Sequence, residues 1–391
     1  MRIAYICTDP GIPVFGTKGC SIHVQEMIRA FLEQGAEVDL FTNRIDGNVP
    51  PGLEKVNVFR LPQSSKKRAD ERERRALEAN SYLETALRLR GSYDLVYERY
   101  SLWSYAGMDY ANDHNVPGIL EVNAPLIEEQ KSHRELVDPD LAERIAKRVF
   151  NKASSLVAVS EEIANYLRRY RESHEGIHVI PNAINPKNYP ANTFPSIQSD
   201  TPFTVGFLGT LKPWHGVSHL IEAFAKFHNQ DSKTRLVIVG DGPEKESIEN
   251  LITSYKLKKA VTMKGALPHD QIPSVLKTWD VAVAPYPIIP NFYFSPLKIF
   301  EYMAAGLPVV ASSIGQIKNL VQNKSNGLLC SPGDINDLTA ALHFLKGNPA
   351  LRKSLGVQAR RTVLDRFTWD KVAKKVFEIA FQSQLEGSIA G

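Results

Sequence analysis

Short apolar runs alternate with amphipathic stretches along most of the chain. Runs rich in Val, Ile and Leu predict strands at Arg2–Thr8, Val38–Thr42, Val56–Leu61, Leu95–Glu98, Gly118–Val122 and Leu156–Ser160. Helical periodicity separates them. In Ser21–Gln34 the residues Ile22, Met27, Ile28, Phe31 and Leu32 recur at helical spacing, and Gly35 is placed to end the helix. Further helices are predicted at Lys66–Arg90, Ser101–Asp113, Pro139–Lys152 and Glu161–Arg171. The same alternation restarts later, with strands at Thr204–Leu208, Leu236–Val239, Val261–Met263, Val281–Ala284, Val309–Ala311 and Leu328–Cys330. Helices fit Val217–Asn229, Glu244–Tyr255, Gln271–Trp279, Leu297–Ala305 and Ile335–Lys346, and the tail reads as helix at Leu351–Leu364 and Trp369–Gln384. Strand–helix–strand repetition means a doubly wound parallel sheet, here twice. The expected α/β domains are 1–185 and 203–370, joined by a linker at 186–202 that carries Pro186, Pro190, Pro195 and Pro202.

Length and composition agree with this organisation. A chain of 391 residues exceeds one ordinary core. With 43% hydrophobic and 23% charged residues it is globular, and a net charge of +4 gives no argument for nucleic acid as partner. Cys7, Cys20 and Cys330 show no metal or disulfide spacing. The chain opens directly on a strand-like run, and no apolar run approaches the ~20 residues needed to span a bilayer, so a cytoplasmic protein is expected. The segment Lys66–Arg90 is strongly charged. It reads either as a solvated surface helix or as a basic face, through Arg68, Arg72, Arg75, Arg88 and Arg90, that touches the inner membrane surface peripherally.

In open α/β sheets ligands bind beyond the carboxyl ends of the strands, so the loops after strands carry the candidate chemistry. The richest stretch is Asn291–Ser312. Ser295 fits an N-cap and Pro296 the first helical position. The free amides of Leu297 and Lys298 then form an anion site to which Lys298 adds a full charge. Glu301 shares a helix face with Lys298. An ordinary capped helix with an exposed Lys–Glu pair is the alternative. In the loop Gly209–Gly216, Lys212 and His215 are candidate phosphate ligands beside Thr210. Gly16 and Gly19 precede a helix start at Cys20–Ser21, and Gly240 and Gly242 follow a strand, yet neither place completes a dinucleotide or P-loop fingerprint. Arg99, Asn123 and Glu128 follow strands of the first half, where polar groups can hold substrate hydroxyls or cap a helix. His23 reads as a packed core histidine. Metal-ligand spacing and a nucleophile elbow are absent.

Taken together, GFLGTLKPWHGVSHLIEAF, VGDGP and PLKIFEYMAAGLPVVAS in the second half, with CSIHVQEMIRAFLEQGAEV, YERYSLWSYAG, LEVNAPL and VIPNAI in the first, resemble the family 4 glycosyltransferases over nearly the full length. The resemblance implies a GT-B fold: two Rossmann-like domains facing a cleft, with a C-terminal helix (371–391, around FTWDKVA) crossing back to the first. It implies transfer of a sugar from a nucleotide sugar, a UDP- or GDP-sugar, with retention, without a metal or other cofactor. By position, Glu301 would bind the donor ribose, and Lys212 and Lys298 would neutralise the leaving diphosphate. The Leu297–Lys298 amides and the Gly19–Cys20 turn would cradle the phosphates, helped by Thr210, His215, Gly240, Gly242, Ser295 and Pro296. Lys264–Gly265 would edge the base, and Asn123, Glu128 and Arg99 would lie toward sugar and acceptor. The chain departs from the family pattern at Tyr293, where many members carry a second glutamate, and at Thr210 and His215, where many carry Arg and Lys. Two other activities stay open: a nucleotide-sugar epimerase of the same architecture, and a non-catalytic nucleotide-sugar-binding subunit.

Overall fold

The structure, a computed structural model, describes residues 1–63, 68–171, 173, 175–190 and 201–389. It divides into two compact units, Met1–Pro181 with Trp369–Gly391 and Asn182–Thr368.

In the first unit seven strands form one sheet: β1 (Arg2–Cys7), β2 (Glu37–Thr42), β3 (Asn57–Arg60), β4 (Leu95–Arg99), β5 (Gly118–Val122), β6 (Ser155–Ala158) and β7 (Ile177–Val179). Their order is β3-β2-β1-β4-β5-β6-β7, with every pairing parallel. Helices α1 (Gly19–Glu33), α2 (Ala69–Arg90), α3 (Ala106–Asp113), α4 (Leu126–His133), α5 (Pro139–Lys152) and α6 (Glu161–Leu167) make the crossovers. Side-chain caps fix two of them: Asp138 accepts from the Leu141 amide ahead of Pro139, and Ser160 from the Ile163 amide. Strand order reverses between β1 and β4, which makes their carboxyl ends the expected ligand edge.

The second unit repeats the plan with β8 (Phe203–Leu208), β9 (Thr234–Val239), β10 (Val261–Gly265), β11 (Val281–Ala284), β12 (Val309–Ser312) and β13 (Leu328–Cys330), in the parallel order β10-β9-β8-β11-β12-β13. Its helices are α7 (Val217–Gln230), α8 (Lys245–Ser254), α9 (Ile272–Leu276), α10 (Leu297–Ala304), α11 (Ile317–Leu320), α12 (Ile335–Gly347) and α13 (Pro349–Arg366). Strand alternation splits the core in two. Val205, Phe207, Val281 and Val283 pack with α7 and α12 on one face. Val237, Val239, Ala282 and Ala284 pack with α10 and α13 on the other. The reversal here lies between β8 and β11. Helix α14 (Trp369–Ile389) then joins the first unit. There Phe377 stacks on Phe31 of α1 with ring centroids 5.3 Å apart, and Trp369 meets the His23 ring edge-on at 4.8 Å.

Several elements differ from the sequence expectation. Strand β7 was not signalled, because only Ile177 and Val179 are apolar and neither is buried. Helix α4 begins at Leu126, where no helix is predicted, and α11 is a single turn. Part of the expected linker, 191–200, lies outside the described residues, but Asn182–Pro190 already belongs to the second unit: Ile184 bridges Thr368, and the Tyr189 carbonyl accepts from Arg360. Lys66 and Lys67 also lie outside the described residues, and α2 starts at Ala69. Across α2 five arginines are matched by five carboxylates. Pairs Arg75–Glu71, Arg74–Glu78 and Arg88–Glu84 run along it at i,i+4. No described helix is long and apolar enough to cross a membrane.

Candidate active site

The ligand edge of the second unit is built around Lys298. Helix α10 presents its N-terminus at the carboxyl ends of β8 and β11, and it is anchored one turn further in. There the Tyr302 hydroxyl accepts from the Leu208 amide at 2.7 Å. This places Lys298, four residues earlier, over the end of β8. Its Nζ lies 4.3 Å from the Phe207 ring centroid and 5.4 Å from that of Tyr286. The side chain is buried, and Nζ has no hydrogen-bond partner among the described residues. Burial pushes its pKa down to about 7, opposed by the nearby charge of Glu301. Gly209 makes room for it: a Cβ there would stand 2.5 Å from Nζ.

The expected cap is different in detail. The N-cap residue of α10 is Pro296, no side chain caps the helix, and the helix begins at Leu297. Ser295 is instead held from behind, its Oγ accepting from the Asn182 amide at 3.0 Å and its carbonyl from Asn182 Nδ2. Leaving the helix start uncapped keeps its first amides pointed at the site, with the positive end of the helix dipole.

Loop Gly209–Gly216 supplies a second cation. Lys212, partly exposed, lies with Nζ 4.9 Å from the Trp214 ring centroid. His215, placed as a candidate phosphate ligand, is neutral in the free protein. Burial first, then the charge of Lys298, push its pKa down to about 3. Its Nδ1 bonds the Thr210 carbonyl, which can only accept, so Nδ1 carries the proton and Nε2 offers a lone pair. Thr210 contributes this carbonyl. Gly240, with φ 143°, sits so close to the same loop that a Cβ would fall 1.9 Å from the Gly209 oxygen. Bonds from Gly209 N–H to Val239 O, from Leu211 N–H to Asp241 O and from Gly240 N–H to Gly265 O lock the loops after β8, β9 and β10 together.

On the β10 side Glu301 accepts from His269 Nε2 at 2.8 Å, which orients the carboxylate and leaves its second oxygen for a ligand. His269 was not among the expected residues. It begins a 3-10 turn (His269–Gln271) after Pro268, and only its place past a strand could have flagged it. Tyr286, likewise missed, follows β11. Lys264 is exposed on the last strand residues, next to Gly265 at φ 68°. Tyr293 is half-buried, its ring 4.4 Å from that of Phe294 in the turn before α10. Gly242 lies in the turn after β9, its amide bonded to Asp241.

The expected first-unit residues fall into two groups. Gly19 opens α1, one residue earlier than expected, and no side chain caps that start, so the Gly19 and Cys20 amides are presented. Arg99 is buried at the end of β4 and pairs with Glu121 at 3.4 Å. Glu121 also bonds His23 at 2.6 Å, and these charges hold its carboxyl below the usual range against the opposing effect of burial. Arg99 is thus tied to this network through one guanidinium nitrogen. Asn123 and Glu128 lie elsewhere, past β5 and on α4, each with a buried oxygen that has no partner among the described residues.

Two family descriptions match the chain: Glycosyltransferase Family 4 over residues 17–188 and Glycosyl transferases group 1 over residues 190–362. A D-inositol 3-phosphate glycosyltransferase of Jonesia denitrificans is 26% identical, with 99% of this chain and 97% of the relative covered. An uncharacterised glycosyltransferase of Methanocaldococcus jannaschii is 23% identical, with 98% and 99% covered. Among solved structures, sucrose-phosphate synthase from Thermosynechococcus elongatus is similar with a TM-score of 0.78 at 23% identity, covering 99% of this chain and 100% of that one. HepE from Anabaena, in complex with UDP and glucose, is similar with a TM-score of 0.73 at 19% identity, covering 97% and 98%. These likenesses show the fold, GT-B.

Proposed function

The chain belongs to the glycosyltransferases described as family 4 and group 1, and on that premise we propose that it moves a sugar from a nucleoside-diphosphate sugar to a hydroxyl acceptor, with retention and without a metal. The observation that carries this reading is the buried Lys298 ammonium with no hydrogen-bond partner among the described residues, at an uncapped helix start on the ligand edge of the second unit. A lysine so placed loses its hydration and regains only part of that from the Phe207 and Tyr286 rings and Glu301 until an anion arrives. A diphosphate suits it: the Leu297 and Lys298 amides face one end, and Lys212 adds a second charge. Glu301, steadied by His269, takes the ribose hydroxyls, and Lys264–Gly265 borders the base. The complex of HepE with UDP favours a UDP-sugar as donor.

The chemistry follows from where charge develops. As the bond from the anomeric carbon to the diphosphate breaks, negative charge grows on the phosphate oxygens. Lysines and helix amides fixed there stabilise that change without reorganising. The residues supply the positive charge that a metal supplies in other transferases. Retention follows if the acceptor attacks from the face the diphosphate leaves, with a phosphate oxygen taking the acceptor proton. His215, neutral and with its Nε2 lone pair free to accept, suits a hydroxyl of the transferred sugar. Lys298→Ala should lower kcat by at least ~100-fold with the donor KM changed far less. Steady-state kinetics on a nucleotide sugar measures this, and near-normal turnover would overturn the assignment.

A further inference from the structure

The sequence at the start of α10 codes for a cap that the structure does not use. Ser295 followed by Pro296 is a serine at the capping position with proline at the first helical one. A capping serine accepts from the second or third amide of its helix, here Leu297 or Lys298, and its carbonyl takes the first helical bond, here from Ile299. The two amides it would cover are the two that the transferase reading gives to the diphosphate. A capped α10 would therefore close its anion site with its own side chain.

Asn182 holds both of the groups that such a cap needs. Ser295 is 8% exposed, and its Oγ accepts from the Asn182 amide at 3.0 Å. Asn182 Nδ2 donates to the Ser295 carbonyl. The Ile299 amide turns to the Pro296 carbonyl at 3.1 Å instead, and the helix begins at Leu297 with no side-chain cap.

Asn182 is itself held by contacts that do not involve Ser295. Segment 182–190 is tied to both ends of α10. At the far end Arg360 Nη2 donates to the Tyr189 carbonyl at 2.5 Å, and Nη1 of the same side chain donates to the Ala304 carbonyl. Ile184 and Tyr189 are 3% and 1% exposed and lie in one core cluster with Ile299, Phe300 and Met303 of α10. The Ile184 amide donates to the Phe367 carbonyl at 3.0 Å, and the Phe367 ring meets that of Phe300 edge-on at 5.5 Å.

We infer that Asn182 is a positioning residue: by holding Ser295 away from the helix start, it leaves the Leu297 and Lys298 amides open to the donor diphosphate. This rests on the transferase reading above. Two bonds to Asn182 stand against the one side-chain bond of a cap, which favours the open start. Without the Nδ2 donor, one bond stands against one. The cap, which satisfies an otherwise bare helix amide, then prevails.

The test measures the affinity of UDP and of GDP by calorimetry in the unaltered chain, in Asn182→Ala, and in Asn182→Ala combined with Ser295→Ala. Asn182→Ala should bind the accepted nucleotide at least about fivefold more weakly, as the serine closes the start. Removing the serine hydroxyl as well should recover most of that loss, because no cap can then form. Asn182→Leu, similar in size and without the donor, gives the same comparison, alone and with Ser295→Ala, should the alanine variant fail to fold. Unchanged affinity in the Asn182 variant, or a double variant that binds no more tightly than it, would overturn the positioning role and leave the donor site standing. Failure of the unaltered chain to bind either nucleotide would overturn the transferase reading itself, and this inference with it.

Discussion

Burying Lys298 costs the fold free energy that the Phe207 and Tyr286 rings and the more distant Glu301 return only in part, as its lowered pKa records. The direction of the pH effect follows. With the folded pKa near 7 and the unfolded one at 10.5, the native state holds fewer protons between those values. Stability at this residue therefore rises as pH climbs from 7 toward 10.5, and the full penalty applies below 7. Lys298→Met, which keeps the chain length and removes the charge, should raise the melting temperature most at pH 6 and progressively less toward pH 10, while abolishing turnover. Thermal melts across pH check this. A variant less stable than the parent at pH 6 would mean that the ammonium is already paid for within the fold. His215 shows the complementary case, a neutral ring whose tautomer is settled by the Thr210 carbonyl. The sequence shows a histidine among lysines and suggests a cation, and the burial that reverses this belongs to the tertiary structure.

At the scale of elements, the site depends on how closely loops approach one another. Gly216, the residue before α7, has φ 67°, and a Cβ there would lie 1.8 Å from the Pro285 oxygen in the loop after β11. Gly35, at the end of α1, has φ 80° with nothing within 4 Å of where its Cβ would be. Gly35→Ala should cost only the left-handed strain, about 1 kcal/mol, whereas Gly216→Ala adds a backbone collision and should cost at least twice as much. Denaturant midpoints of the two variants compare these directly, and equal losses would mean that the loop moves aside freely. Helix α10 makes the same point from the sequence side. Ser295-Pro296 reads as a cap followed by a first helical residue, yet Ser295 is recruited by Asn182, more than a hundred positions earlier. Local pattern cannot reveal a partner so distant in the chain.

For the molecule as a whole, period and punctuation were enough to read two parallel α/β units, because strands buried on both faces carry unbroken apolar runs and helices between them carry one apolar stripe. What escaped was short or half-exposed: β7, α11, and α4 behind Pro125, where the burial contrast is weak. The return of the tail to the first unit, with Phe377 against Phe31, was expected from the family resemblance alone, and the place of Asn182–Pro190 in the second unit was hidden because Ile184 and Tyr189 are isolated apolar residues in a proline-rich stretch. Candidate residues were legible as post-strand positions, since the fold puts its ligand edge there. Their partners and charge states, the His269–Glu301 pair and the burial of Arg99 among them, depend on contacts between distant loops.

The central claim is that Lys298 waits for a diphosphate, and proton exchange on binding tests it most directly. UDP and GDP should be titrated calorimetrically at pH 8 and pH 6 in buffers of differing ionisation enthalpy. At pH 8 the free lysine is largely neutral, and a bound diphosphate favours its charged form. Binding of the accepted nucleotide should therefore take up roughly one proton at pH 8 and far less at pH 6, and the uptake should vanish in Lys298→Met. Binding with no proton uptake at pH 8, at an affinity that Lys298→Met retains, would contradict the account.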